Sequence, residues 1–183
     1  MKTFRALWLI LIAIQAIVAA PSRSEAASAA EINADADATL HSFVRQSGGA
    51  QELGNKAAGV LVFPSLFKAG FGFGGEYGEG LLLIHGRPAG YYNLVSASVG
   101  FQLGVQERSV IIMFMTNEAL AGFDRRAGWR VGVDGSVVFV TLGVSGSIDT
   151  DKITSPIIGF VIDPKGLMYN LTLEGSKISR ILR

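Results

Sequence analysis

Lys68-Ala69-Gly70-Phe71-Gly72-Phe73-Gly74-Gly75-Glu76-Tyr77-Gly78-Glu79-Gly80 alternates glycine with aromatic residues at a period of two. Successive side chains of a strand point to opposite faces, so the pattern puts Phe71 and Phe73 on one face and Gly70, Gly72 and Gly74 on the other. Glycine weakens a strand because it loses the most entropy on ordering and offers nothing to pack. A face built of it implies that something bulky lies directly against the backbone: a helix, another sheet or a ligand.

Strand signals continue on both sides of this run. Gly59 to Phe63 is a short apolar stretch that Pro64 is expected to stop, and Gly80 to His85 is another, ending at Gly86-Arg87-Pro88. Residues 95–105 alternate cleanly, with Val95, Ala97, Val99, Phe101, Leu103 and Val105 facing one way. Val110 to Met115 is apolar on both faces, as a central strand is. Thr116-Asn117-Glu118-Ala119-Leu120 reads as a cap followed by one or two helical turns. Residues 136–148 alternate again. Ile157 to Ile162 and Leu167 to Leu173 supply two last strands around the turn Asp163-Pro164-Lys165-Gly166.

Ahead of the strands, Ile32, Ala36, Leu40 and Phe43 recur at helical spacing, which predicts an amphipathic helix over about 31–46. Gly48-Gly49 ends it, and a short second helix over 50–57 follows. The expected fold class is α+β: about seven strands in a mostly antiparallel curved sheet or barrel-like β core, with an N-terminal helix or helices.

The N-terminus has a different character. Lys2 and Arg5 precede an uncharged apolar run, Ala6 to Ala20, and small residues follow at Ser24, Ala26, Ala27, Ser28 and Ala29. That is the layout of a secretory signal peptide over 1–26, and the run is shorter than the ~20 residues a bilayer-spanning helix needs. An uncleaved anchor is the alternative. Residues 27–39 read as a flexible leader, and 40–183 as one domain. Cleavage after Ala26 takes three basic residues and one acidic residue from a chain of net charge +1, leaving about −1. No global field then favours nucleic acid. The chain has no cysteine, which excludes disulfides, thiolate metal sites and a lipobox anchor. With no Arg-Arg pair before the apolar run, the expected route is Sec export to the periplasm or the outside.

Motifs that resemble catalytic signatures fail on context. Gly70-x-Gly72-x-x-Gly75 matches the dinucleotide fingerprint in letters, but that mechanism needs a helix to begin there and an acidic residue ~20 positions on. Ser65-Leu66-Phe67-Lys68 matches Ser-x-x-Lys without its companion motifs. His41 and His85 lack metal-ligand spacing, and Glu76 and Glu79 fall on opposite faces of a strand. No enzyme, cofactor or metal is expected. One segment is less neutral: Phe123-Asp124-Arg125-Arg126-Ala127-Gly128-Trp129-Arg130 packs three arginines and two large aromatics into eight residues. Arginine forks suit phosphate oxygens and tryptophan suits a wet apolar edge. The alternative is a solubilising loop whose aromatics fold back into the core.

Gly59-Val60-Leu61-Val62-Phe63-Pro64, the glycine run, Gly90-Tyr91-Tyr92-Asn93, Ser109 to Thr116, Gly128-Trp129, Gly132 to Ser136 and Gly166 to Ser176 together resemble the SYLF domain family over about residues 57–182. The resemblance implies a domain that binds phosphoinositides and acts at membranes and actin patches in eukaryotes, and an exported envelope protein in bacteria. Lacking cysteine, this chain departs from the lipid-anchored bacterial relatives. The segment 31–46 carries Glu31, Asp35 and Asp37 against a lone Arg45, so it also departs from the basic amphipathic helix of eukaryotic members. The expected function is non-enzymatic lipid binding in the bacterial envelope. Lys68, Arg125, Arg126 and Arg130 would hold phosphate or carboxylate, and Trp129 would sit at the interface. Because the resemblance includes Gly128-Trp129 but not the whole arginine cluster, Trp129 leans towards a structural role. The alternative function is a structural or interaction module, oligomeric or bound to an envelope protein, with no lipid.

Overall fold

The apolar runs on either side of the glycine stretch join into a single strand. In the computed structural model, which describes residues 27–140, 154–166, 173 and 175–183, β1 runs from Gly59 to Ile84 and β2 from Arg87 to Phe114. They pair antiparallel along their whole length around the two-residue turn His85-Gly86. Pro64, expected to stop a strand, does not. The register shifts between Phe63 and Leu66, so a bulge absorbs the missing N–H. The Ser109 hydroxyl donates to the Pro64 carbonyl at 2.6 Å.

Along its other edge β2 pairs antiparallel with β6 (Lys177–Ile181) near its start and with β5 (Ile157–Gly166) near its end. Beyond them lie β3 (Trp129–Arg130) on β6 and β4 (Val138–Phe139), parallel to β5. The expected α+β class holds: a curled, mostly antiparallel half-barrel with helices at the N-terminus. Strand β6 was not foreseen. The signal peptide over 1–26, most of the strand over 136–148 and most of the one over 167–173 lie outside the described residues.

The β1–β2 ribbon bends sharply at the glycine run, and this explains why Gly70, Gly78 and Gly80 carry no side chain. A Cβ on Gly70 would sit 2.9 Å from Gly74 Cα and from the Phe73 carbonyl oxygen. Further on, a Cβ on Gly78 would overlap the Ser65 carbonyl oxygen, and one on Gly80 would come within 2.5 Å of the Val62 carbonyl oxygen. The bulky object against Gly78 and Gly80 is therefore the first half of the same strand, and against Gly70 it is the backbone of Phe73 and Gly74 at the bend itself.

Each face of the sheet holds a core. Inside the curl, Phe63, Leu82, Leu94, Ile112, Phe123 and Trp129 pack with their neighbours. On the outer face, Val62, Leu83, Ile111, Met113 and Phe160 are covered by α1 (Ala29–Gln46) and α2 (Ala50–Lys56) through Ile32, Ala36, Phe43 and Leu53. The leader expected over 27–39 is corrected here. Ser28 and Glu31 form a reciprocal capping box that starts α1 at Ala29, and Ile32 and Ala36 are buried. Thr116 caps α3 (Asn117–Asp124), as its sequence implies.

Candidate functional site

Alternation along β1 and β2 gives the bend two chemically different faces. Inside it, Lys68, Glu76, Gln106 and Arg108 are all buried. Arg108 holds Glu76 with a fork, Nε to Oε1 at 2.9 Å and Nη2 to Oε2 at 3.1 Å. Charge-assisted bonds of this kind make the burial of two ions tolerable and tie the two limbs of the ribbon together. Lys68 stands opposite Gln106 in the register, on this inner face. The strand thus turns Ser65, which donates to Glu107 at 2.8 Å, away from Lys68. Residues 70–75 lie within β1, not at the start of a helix, so the fingerprint lacks its phosphate-binding context.

Outside the bend lies a group of exposed apolar side chains, with Glu107 opposite Phe67 and Glu79 beside Tyr77 on the same face. Phe67 and Val105 lie on one limb, 51% and 52% exposed, Phe73 at the apex is 75% exposed, and Tyr77 and Val95 lie on the other limb. Cross-strand register extends this surface sideways. Tyr77 pairs with Val95, Val95 with Lys177, and Lys177 with Arg130, so the four stand in one row across β1, β2, β6 and β3. Directly opposed residues share a face, and at ~4.8 Å per strand the row spans about 14 Å. Tyr77 donates to Glu79 at 2.7 Å, and Arg183 pairs with the same carboxylate. Burial pushes the Glu79 carboxyl up, but the bonds from Arg183 and Tyr77 outweigh it and hold the group below the usual range. Burial and the neighbouring Glu79 raise the Tyr77 phenol.

The structure separates the residues expected to form one site. Lys68 is inside the curl and Arg130 is on the outer face. Trp129, next to Arg130, points the opposite way into the inner core, edge-on to Phe123 at 5.7 Å. Asp134 gathers the loop: it takes Arg126 at 2.8 Å, the Arg130 backbone N–H at 2.7 Å, and the Arg130 Nε at a looser 3.9 Å. Arg125 Nε donates to the Ala121 carbonyl at 3.1 Å. Two of the three exposed guanidiniums, Arg126 and Arg130, thus share one carboxylate.

Residues 95–181 match the family model described as Ysc84, Las17-binding protein actin regulator. The chain carries a domain of this family. Membership implies a lipid-binding or actin-regulator-type module. No curated protein matches the chain. The Ysc84 segment includes Val95, Val105, the arginine loop and Lys177, whereas Phe67, Phe73 and Tyr77 are contributed by β1, ahead of it. Sequence reading missed these apolar residues as a site and missed Lys177. Their legible signals were the alternations that placed Phe73 opposite the glycines and Val95 and Val105 on a common face.

Proposed function

We propose that this Ysc84 domain is a non-enzymatic lipid-binding protein of the bacterial cell envelope that rests on a membrane through the outer face of its bent ribbon. The row Tyr77, Val95, Lys177 and Arg130 carries the reading: exposed apolar side chains end in two cations on the same face. Apolar patches rimmed by polar groups mark interaction sites, and an apolar centre with basic flanks suits an anionic lipid surface. A binding role rather than a catalytic one is supported by the state of the carboxylates near the bend. Glu76 is committed to Arg108, and Glu79 to Arg183 and Tyr77. The N-terminal apolar run supports Sec export, with the domain in the periplasm or outside the cell and no role for nucleic acid.

Co-sedimentation with vesicles of phosphatidylcholine alone, and of phosphatidylcholine with phosphatidylglycerol, tests the proposal. Phe73→Ser with Tyr77→Ser should weaken binding to both compositions. Lys177→Gln with Arg130→Gln should remove roughly tenfold of the affinity for the anionic vesicles only, since each basic contact is worth ~1 kcal/mol or less. Unchanged binding in both double variants sinks the reading. Negligible binding of the wild type, with a defined oligomer by native mass spectrometry that Phe73→Ser dissolves, would establish the interaction-module alternative instead.

A further inference from the structure

Between α1, α2 and the β1–β2 turn the surface opens into a pocket of about 650 Å³, within the ordinary range for small-molecule sites. None of the Tyr77–Arg130 row lines it. Its floor is apolar, built on the buried Phe43, Leu83 and Met113. Its rim carries Asp37 and His41, one helical turn apart on α1, and His85 from the turn. These three side chains have no hydrogen-bond or ion-pair partner among the described residues.

Two residues of the wall are poor local choices. Gly54 sits within α2, where only proline is worse. A Cβ there would meet nothing within 4 Å, so packing does not demand glycine. His85 is held at φ 51 beside Gly86 at φ 72, a turn that Asn-Gly or Asp-Gly serves better. Sequences break local rules where function requires it, and both breaks border the same pocket.

We propose that this pocket binds a small amphipathic molecule, with its apolar body on the Phe43, Leu83 and Met113 floor. Its head, an amine or a hydroxyl, donates to Asp37 and meets His41 and His85 at the rim. Asp37 is the one formally charged carboxylate lining the pocket among the described residues, and neither lysine nor arginine lines it. A carboxylate or phosphate head would therefore face Asp37 without a compensating cation.

The test is a fluorescence titration of the full chain with N-phenyl-1-naphthylamine, followed by displacement with dodecylamine, dodecanol and dodecanoate below their micellar concentrations. A saturable component is expected, displaced at least tenfold better by the amine and the alcohol than by the carboxylate. Gly54→Leu should fill the pocket and abolish that component while raising the thermal midpoint, and His85→Asn should raise the midpoint and weaken binding. Asp37→Asn should erase the advantage of dodecylamine over dodecanoate. Vesicle binding should be unchanged in all three variants, which separates this site from the membrane face. No saturable component, equal displacement by the three chains, or full binding in folded Gly54→Leu and His85→Asn overturns the proposal. Should Gly54→Leu not fold, His85→Asn and Asp37→Asn still decide it.

Discussion

Arg108 and Glu76 show how much a single pair can matter where a strand doubles back on itself. Both are almost fully buried, and they pair with each other across the bend. Glu76→Gln removes the charged end of this buried fork and should cost about 3–5 kcal/mol in chemical denaturation. Replacing both with methionine should recover much of that loss. Gly80 tests the same bend sterically: Gly80→Ala drives a methyl against the Val62 carbonyl and should cost about 1–3 kcal/mol. In the arginine loop, two residues four positions apart should behave in opposite ways. Trp129→Ala should cost about 3–5 kcal/mol because it empties the inner core. Arg125→Gln, on the surface, should stay within about 0.5 kcal/mol.

Among the elements, α1 decides which part of the outer face stays dry. Phe43 meets Phe160 at 4.8 Å, and Ile32 and Ala36 seal the rest. The capping box satisfies donors at the helix start that would otherwise be unpaired, and the Ser28 backbone and side-chain bonds hold the Glu31 carboxyl below its ordinary value. Ser28→Ala should therefore destabilise the domain by about 1 kcal/mol, read from the denaturation midpoint at constant slope. The sheet shows the opposite arrangement at the bend, where Phe67, Phe73 and Tyr77 have no helix above them among the described residues.

At the scale of the whole molecule, Tyr92 links β2 to α3 by donating to Asp124 at 2.9 Å, and Arg180 approaches the same carboxylate at 3.6 Å. Burial first, and then the Asp124 carboxylate, push the Tyr92 phenol well above its ordinary value of 10.0. The folded state holds this proton more tightly than the unfolded chain. The resulting stability is whole below pH 10 and is lost as pH rises towards the folded value. Unfolding free energies between pH 9 and 11.5 should fall for the wild type, and Tyr92→Phe should fall less steeply from a lower starting point. A slope identical in the two proteins would remove Tyr92 from the alkaline transition.

Much of the architecture was legible because it is periodic. The spacing of Ile32, Ala36, Leu40 and Phe43 announced α1, and alternation along 95–105 told which residues share a face. Local cues also misled: Pro64 read as a stop because a bulge cannot be seen in composition, and the small, acidic start of α1 hid its capping box. What period two cannot supply is the neighbour across the strand. That Tyr77, Val95, Lys177 and Arg130 form one row depends on pairings between distant segments, and that His41 and His85 line one pocket depends on where α1 docks. Local sequence sets the face of each side chain because backbone geometry is local. The tertiary structure decided which faces α1 and α2 cover and which cations reach the open one, because register and docking are fixed only by contacts between segments far apart in the chain.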